Sequence, residues 1–422
     1  MIKKLIGLSL ILLSIQNFAQ KNSTSPYSFF GIGEETTLKT VEEVSMGQIG
    51  TAFNSTYQIS FTNPASLAHL QFTTYTLAVE NKALRIDDGK NTDNASTASL
   101  SYFAIGIPIG TKAGFSFGLQ PNTTVGYSLS EEFKNTQGDL TAINNFKGEG
   151  GTNRVFFGLG YKLPKNISIG IEAAYVFGNI ENTLLNRRDG VQLATMHKTN
   201  STVKGFTAKV GIQYNTKITD KLTLKAGILA NLKNNLSNKG REVLFSLLNT
   251  NTGTISPRDT LVDNSFDNTI KKPLNTAISV GVGERNKWYA GVEYSFNDAL
   301  EFTDGVLNSN TKVSYEKANR ISVGGFYTPK INSISSYWQR ITYRAGINYK
   351  QTGLMVDNTT VNDFGISFGV GLPIGKQLSN LNLGFELGKR GEINNSLIKE
   401  NYFNFRLGLT LNDRWFIKPK IQ

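Results

Sequence analysis

Apolar and polar residues alternate at a period of two over most of the chain, most clearly near its C-terminal end. Between residues 403 and 411, phenylalanine and leucine occupy every odd position, while polar residues and glycine occupy the even positions. Similar alternation runs through residues 361–373 and 379–390. Because successive side chains of a β-strand point to opposite faces, this period predicts strands with one apolar face.

The predicted strands number about fourteen, and each is near or above the 9–11 residues that a tilted strand needs to cross a bilayer. They cover residues 72–82, 96–108, 112–129, 151–163, 166–181, 202–215, 220–232, 274–284, 286–297, 317–328, 340–352, 361–373, 379–390 and 401–412.

The connections between these strands are alternately short and long. Joins after even-numbered strands are mostly short, such as Gly110-Thr111, whereas 130–150 and 182–201 follow odd-numbered strands. Membrane barrels show this alternation, and a soluble β-sandwich, the alternative fold, gives no reason for it. A sheet in lipid must close on itself. The sequence therefore predicts an all-β fold, a closed antiparallel transmembrane β-barrel of about 14 strands over residues 71–412, followed by a C-terminal tail at 413–422.

Glycine is abundant on the face opposite the apolar one. The glycines on this face are Gly118, Gly158, Gly170, Gly211, Gly227, Gly281, Gly291, Gly324, Gly346, Gly369, Gly384 and Gly408. Glycine weakens a strand unless another backbone comes close, so we expect a segment inside the barrel, although relief of barrel curvature is an alternative. Residues 20–70, above all Ser25–Leu70, lack a strand period and are predicted to form this N-terminal hatch in the lumen.

Charged residues also fall on the inward face. They are Glu172, Lys209, Lys225, Glu293, Arg344, Glu386 and Arg406. We expect them to bond the hatch or to line a water-filled lumen. Aromatic residues near the strand ends are candidates for interfacial belts in a membrane: Tyr161, Tyr214, Trp288, Tyr294, Tyr349 and Tyr402.

The longest predicted loop, residues 233–273, contains an apolar patch at 243–248. Three interpretations are open: the loop packs on itself, it extends over the barrel mouth as a helix or strand, or it binds a partner or an apolar molecule.

Residues 1–19 have the features of a signal peptide. Lys3 and Lys4 precede an apolar run from Leu5 to Ile15, and Asn17-Phe18-Ala19 is a plausible cleavage site. The run is short for a membrane-spanning helix, which needs about 20 apolar residues. A signal peptide and a barrel together predict multi-pass insertion in a bacterial outer membrane, in contact with its lipid.

Composition narrows the functional classes further. Lys and Arg number 44 against 32 Asp and Glu, a formal net charge of +12, but the basic residues are scattered, so no nucleic-acid partner is expected. The chain has no cysteine, which excludes disulfides and thiolate metal sites.

Little in the sequence indicates catalysis. Only His69 and His197 could serve a nucleophilic serine as base, and no G-x-S-x-G motif occurs. Asp87, Asp88 and Asp93 lie in the first predicted outer loop and could meet a surface cation, but a solvated loop is the preferred interpretation. The sequence predicts no enzyme, no metal site and no cofactor.

At Asn63-Pro64-Ala65 the chain resembles the FadL family of outer-membrane transport proteins. The resemblance implies a fourteen-stranded barrel with a hatch closed by the NPA element, and uptake of hydrophobic molecules that leave sideways through the wall. The segments 25–33 (SPYSFFGIG) and 45–52 (SMGQIGTA), with 415–420 (WFIKPK), resemble a PorV-like branch found in Bacteroidota and linked to type 9 secretion. That branch implies a barrel that binds protein partners and does not transport.

Two functions follow as expectations. The first is passive uptake of hydrophobic, fatty-acid-like molecules, with a hydrophobic ligand or detergent-like molecule in the lumen. The second is an accessory subunit of a larger outer-membrane secretion or assembly complex. A transporter should have a connected apolar tunnel, and the candidates for a hatch or ligand path are Phe29, Phe30, Ile32, Asn63, Pro64 and Ala65.

Overall fold

The computed structural model describes residues 25–248, 257–302, 313–375, 378–393 and 397–415. The predicted signal peptide and most of the motif at 415–420 lie outside these residues. In the part that is described, no helix is long and apolar enough to cross a membrane.

Fourteen strand positions follow one another along the described chain, and two of them are interrupted. They are β1 Thr73–Asp87, β2 Thr92–Ile109, β3 Ala113–Lys134, β4 Leu140–Lys162, β5 Ile167–Arg188, β6 Leu193–Lys217, β7a Leu222–Asn231, β7b Asn234–Leu248, β8a Pro257–Lys272, β8b Asn275–Glu284, β9 Trp288–Asn297, β10 Ala318–Tyr327, β11 Thr342–Val356, β12 Thr359–Ile374, β13 Ser379–Arg390 and β14 Lys399–Asp413.

The sheet is antiparallel and closes between its first and last strands. Each strand pairs with the next along the chain, and β14 pairs with β1 from Asp413–Thr73 to Lys399–Asp87. Each predicted strand coincides with an observed one. The prediction of a closed antiparallel barrel of fourteen strands is confirmed.

Alternation along each strand separates an outer apolar face from an inner polar one. On β14, Phe403, Leu407 and Leu411 are exposed on the outer face, whereas Asn404 and Arg406 are buried. Of the predicted belt residues, Tyr161, Tyr214, Tyr294 and Tyr349 are exposed on the outside and Trp288 is half-buried. Tyr402 was assigned wrongly: it is buried and donates a hydrogen bond to Asp363. As a neighbour of the outward Phe403, it has to point inward.

One part of the wall extends far beyond the rest on the side of the long joins. Strands β3 to β6 have 22–25 residues, and β7b and β8a extend the sheet further. The long loops predicted at 130–150, 182–201 and 233–273 are therefore wrong, because most of each is strand. In this extension polar residues occupy both faces, so the period of two that marks a strand is lost. The apolar patch at 243–248 lies in β7b, so of the three interpretations the structure shows the extension of the barrel as a strand.

The wall is open between β2 and β3. These strands pair only from Ile109–Ala113 to Phe103–Leu119, and beyond that level each pairs with its other neighbour alone, apart from a short contact described below. Pro121 lies where the two strands separate, next to a register shift in β3. Proline has no N–H to donate to a neighbouring strand, and residues 122–127 are all buried. The upper part of β3 thus bends into the barrel and leaves a seam in the wall, which we call the β2–β3 seam.

Residues 25–70 lie inside the barrel, and we call them the lumenal segment. It contains two 3-10 helices at Pro26–Phe29 and Pro64–His69, a helix α1 at Val41–Val44, and a two-residue strand at Glu34–Glu35. That strand pairs with Thr124 and Thr123 of β3 and covers a small part of the seam. The segment starts near the long-join end of β14, since Tyr27 bonds the backbone of Ile398, and it ends at β1.

Candidate functional site

The lumenal segment follows a line of inward glycines around the wall. A Cβ atom on Gly170 would lie 2.3 Å from the backbone of Pro64 and Ala65, and one on Gly227 would lie 2.2 Å from Thr51 O. The same holds for seven other predicted inward glycines, whose added Cβ would meet this segment: Gly158, Gly211, Gly324, Gly346, Gly369, Gly384 and Gly408. Gly281 and Gly291 instead make room for the Tyr289 ring, and Gly118 faces β2 and Phe156. Nine of the twelve predicted inward glycines therefore make room for the lumenal segment, four of them for its backbone and five for its side chains.

The NPA element joins the segment to the wall. Asn63 Oδ1 accepts a hydrogen bond from the Ala65 N–H at 3.0 Å, which caps the 3-10 helix, and Pro64 occupies the first helical position, where no donor is needed. Asn63 Nδ2 donates to Thr51 O at 2.8 Å and lies 3.3 and 3.4 Å from the carbonyl oxygens of Ile212 and Ile228. The Asn63 side chain thus caps a helix and connects it to Thr51 of the lumenal segment and to two strands of the wall.

A capping box fixes the short helix α1. Thr40 Oγ1 accepts from the Glu43 N–H, and Glu43 Oε2 accepts from the Thr40 N–H at 2.9 Å. The other carboxylate oxygen of Glu43 accepts from Ser60 Oγ at 2.5 Å. The T-x-x-E pattern is readable in the sequence as a helix start, but the sequence analysis did not single it out. Glu43 therefore ties the beginning of the segment to its end.

Glu293 is the main charged contact between the wall and the segment. Its Oε2 accepts from the N–H groups of Gly50 and Thr51, both at 2.8 Å, and its Oε1 lies 3.3 Å from Lys39 Nζ and 3.1 Å from Arg320. Glu293 is 1% exposed. Burial lowers the pKa of Lys39, and the Glu293 carboxylate opposes this by favouring the charged ammonium.

Three more of the predicted lumenal charges contact the segment directly. Lys209 Nζ donates to Phe61 O, Lys225 Nζ donates to Asn54 O at 3.0 Å, and Glu386 accepts from Gln48 at 3.1 Å.

The remaining three predicted lumenal charges act through other wall residues. Glu172 pairs with Lys209 at 3.1 Å and with Arg154. Arg406 bridges Glu386 and Glu80. Arg344 lies 3.2 Å from Asn382 Oδ1, and Asn382 in turn donates to Glu42 of α1.

A second charged cluster, near the long-join end, was missed by sequence reasoning. Glu34 lies 2.6 Å from both Lys82 and Arg390, and Arg390 also pairs with Asp363. Burial raises the pKa of Glu34, but the two cations beside it outweigh that effect and hold it well below its usual range. Glu34 lies in the lumenal segment and its partners lie on distant strands, so no sequence spacing links them.

The predicted path residues divide between two apolar clusters. Phe29 makes edge-on contacts with Tyr127 and Phe146, and with Ile32 it packs under the extended wall. Phe30 packs in a separate cluster with Tyr27 and Val361. The two clusters touch where the rings of Phe29 and Phe30 meet edge-on, with 5.4 Å between their centroids.

His69 contacts a serine, but the pair is poorly suited to catalysis. His69 Nε2 lies 2.9 Å from Ser168 Oγ and 3.2 Å from Asn215 Nδ2. Burial, with the charges of Lys162 and Lys225, lowers the pKa of His69 from 6.5 to about 3. A base with so low a pKa removes a serine proton inefficiently near neutral pH, and Ser168 is buried. His197, the other histidine, bonds Glu242 in the extended wall.

A chamber of about 1210 Å³ lies between the lumenal segment and the upper wall. Its lining combines Lys39, Glu293, Arg320 and the other ion-paired groups described above with apolar side chains such as Phe30 and Ile32. The chamber also reaches Val79, Leu100 and Leu119 at the β2–β3 seam, and the first two are exposed on the outer face. It is therefore a compartment of mixed charged and apolar lining that opens sideways through the wall.

A family model described as BamG matches residues 1–422. The chain belongs to the BamG family. No curated protein matches the sequence.

Solved structures similar to this BamG-family chain include a FadL homologue from Pseudomonas aeruginosa (13% identity, TM-score 0.58), covering 90% of this chain and 99% of that one. The toluene transporter TodX from Pseudomonas putida (15% identity, TM-score 0.61) shows the same coverage. The toluene transporter TbuX from Ralstonia pickettii (12% identity, TM-score 0.57) covers 88% of this chain and 97% of that one. At these identities the likeness establishes a shared fold.

Proposed function

We propose that this BamG-family barrel is a non-transporting accessory subunit of a larger protein complex in the bacterial outer membrane. The observation that carries the proposal is the charged lining of the chamber, where Glu293, Glu386 and Glu172 each pair with cations. An apolar solute that lay against these charged groups would displace water from them without replacing its hydrogen bonds, which is costly. The PorV-like segments at 25–33 and 45–52 point to the same accessory role.

The fixed position of the lumenal segment supports a barrel whose lumen this segment keeps blocked. Moving it would break the bonds of Glu293 to Gly50, Thr51 and Lys39 together. Separating one partner from a buried ion pair costs about 3–5 kcal/mol, so a hatch that shifts during each transport event would need a large compensating interaction. The proposal assigns the segment a structural role, with no enzymatic activity and no cofactor.

Uptake of hydrophobic compounds is the second candidate, and the β2–β3 seam favours it. A molecule that entered from the long-join side could pass Phe30 and Ile32 and leave between β2 and β3 without movement of the segment. TodX and TbuX, which are similar in fold, are toluene transporters. A fatty-acid-like molecule is the more specific version of this candidate.

The test is extraction of a tagged chain from native membranes in mild detergent, followed by size separation and mass spectrometry. A defined complex with stoichiometric protein partners is expected, with an unrelated tagged barrel from the same membranes as control. A lone barrel carrying a lipid or hydrocarbon would overturn the accessory role. In that case, faster entry of radiolabelled toluene or oleate into cells expressing the chain than into deletion cells would support uptake.

A further inference from the structure

Besides the upper part of β3, which bends into the barrel, two strand edges in the described part of the barrel lack a neighbouring strand over most of their length. One is the edge of β2 from Thr92 to Tyr102, which pairs only with β1. The other is the edge of β8a from Pro257 to Asn268, which pairs only with β7b. In an antiparallel sheet every second residue directs its N–H and C=O toward such an edge, so both offer rows of hydrogen-bonding groups.

The sequence protects the β8a edge, whereas the β2 edge carries one charged residue, Asp93, near its end. Strand β8a carries Pro257, Arg258 and Asp259 at its start, then Asp263 and Asp267. Proline and charged side chains are the usual means of preventing a free edge from pairing with another chain. From Ala95 to Tyr102 the β2 edge reads ASTASLSY, without proline or charge. The composition of the β2 edge permits pairing with a strand of another chain, whereas the composition of the β8a edge discourages it.

The β2 edge lies at the level where neighbouring strands carry lipid-facing side chains. Following the hydrogen-bonded registers, Phe403 of β14 is opposite Ala83 of β1, and Ala83 is opposite Ser96 of β2. Phe403 is exposed on the outer face. Free backbone groups at this depth are unfavourable, because hydrocarbon supplies no hydrogen bonds. Chamber water can reach the inner side of the edge, but the membrane side has no such supply.

The side chains on the outer surface beside the seam are small or polar, although contact with lipid would favour large apolar ones. Asn81 Nδ2 donates to Ser96 Oγ at 3.2 Å on this face, and Ala83 and Ala98 are their neighbours in the ladder. A shallow groove of about 500 Å³ lies here, between Ser96 on one side and Leu387 and Phe403 on the other. Such a surface admits the backbone of another chain at close range.

We propose that the β2–β3 seam receives an extended strand of a partner membrane protein, which pairs with the β2 edge from Thr92 to Tyr102. This inference rests on the proposed accessory function and names the contact that the partner makes. The eleven residues of this edge would span about 36 Å at roughly 3.3 Å per residue, enough for a strand that crosses the membrane. Main-chain hydrogen bonds would supply the affinity, as in other cases of strand addition.

The chamber sets the chemistry of the partner strand. Its inward side chains would face Glu80, Lys82 and Arg154, which line the chamber, and are therefore expected to be polar or small. Its outward side chains would face lipid and are expected to be apolar. A strand with this alternation matches the seam, whereas an acyl chain leaves the β2 backbone groups unpaired.

Site-specific photocrosslinking in native membranes tests the proposal. A photoreactive residue is placed at Ser96, Ala98 or Leu100, and at Val280 or Val292 on the opposite wall, which are also exposed outward. We expect one discrete protein adduct from the seam positions and lipid adducts from the control positions. Adducts with lipid alone at the seam, or the same protein adduct from both walls, would overturn the proposal.

A matched pair of lysine variants separates edge pairing from general damage. Ala98 and Ala290 are both exposed on the outer face, so Ala98→Lys and Ala290→Lys place the same charge toward lipid. Ala98→Lys should abolish the protein adduct, and Ala290→Lys should retain it, while both barrels keep the shifted migration of folded barrels in unheated gels. If a complex is isolated from the wild type but no seam adduct forms, the seam proposal fails and the accessory function stands. If the wild type forms no complex, the accessory function itself fails.

Discussion

Asn63 occupies the space in which a side chain on Gly211 would lie. A Cβ atom on Gly211 would be 1.9 Å from Asn63 Oδ1, so the strand can carry only glycine while the asparagine caps the 3-10 helix at Pro64–His69. The absence of a side chain at Gly211 in the wall thus leaves the space that Asn63 of the lumenal segment fills. A substitution at Gly211 therefore tests the position of the NPA element.

Gly211→Ala should destabilise the barrel by displacing Asn63. Overpacking of this kind typically costs about 1–3 kcal/mol, measurable by urea unfolding of the detergent-solubilised protein. Asn63→Ala should itself cost about 0.5–2 kcal/mol through loss of the cap. In the double variant the clash is removed, so the combined loss should be smaller than the sum. Strict additivity would show that the two residues are not in contact.

Glu293→Gln should loosen the lumenal segment before the barrel unfolds. The change leaves Lys39, 9% exposed, without its buried carboxylate partner, a loss of about 3–5 kcal/mol for a buried pair. Trypsin cleavage after Lys39 reports the release of the segment, and we expect it to accelerate in folded barrels.

Glu181→Gln is the control for that variant. Glu181 pairs with Lys198 in the extended wall, where both side chains are more than a third exposed, and such pairs contribute about 0–1 kcal/mol. Equal sensitivity of the two variants to trypsin would contradict a special role for Glu293.

The barrel could be predicted from sequence because lipid and lumen impose different side chains on alternate residues. The path of the lumenal segment was also partly predictable, since Gly170 and Gly227 lie where the backbone of the segment comes close to the wall. The extension of β4 from Leu140 was not predicted, because water on both faces removes the alternation. The ends of a strand cannot be predicted from alternation where both of its faces are in contact with water.

The sequence predicted which charged residues face the lumen better than it predicted the contacts that they make there. Glu293 was predicted to face inward, but its bonds to Gly50 and Thr51 depend on how the segment folds back. The seam did leave a signal, because Pro121 interrupts a strand that otherwise alternates well. A proline in the middle of a predicted barrel strand indicates an interrupted ladder, which the sequence analysis did not use.

The extended wall should lie outside the cell and the short turns in the periplasm. The chain has no cysteine, so single cysteines report position cleanly. Leu261 on β8a is 59% exposed, and Leu261→Cys should react with a membrane-impermeant maleimide in intact cells. Asp220→Cys, in the exposed turn before β7a, should react only after the outer membrane is permeabilised. The reverse pattern would invert the assigned orientation.

His69 should make barrel stability depend on pH in the acidic range. Its pKa is lowered from 6.5 to about 3 in the folded state by burial and by the nearby cations Lys162 and Lys225. Between these values the unfolded chain binds a proton that the folded chain does not, so acid favours unfolding. The contribution of the neutral histidine is complete above pH 6.5 and is lost as the pH falls toward 3.

The measurement is the urea midpoint of the solubilised barrel at several values between pH 7 and pH 4, for the wild type and for His69→Gln. Glutamine keeps a hydrogen-bonding group near Ser168 and Asn215 but does not titrate. We expect the midpoint of the variant to fall less steeply with acid than that of the wild type. Parallel curves for His69→Gln and the wild type would show that other groups, such as the buried carboxylates, determine the response to acid.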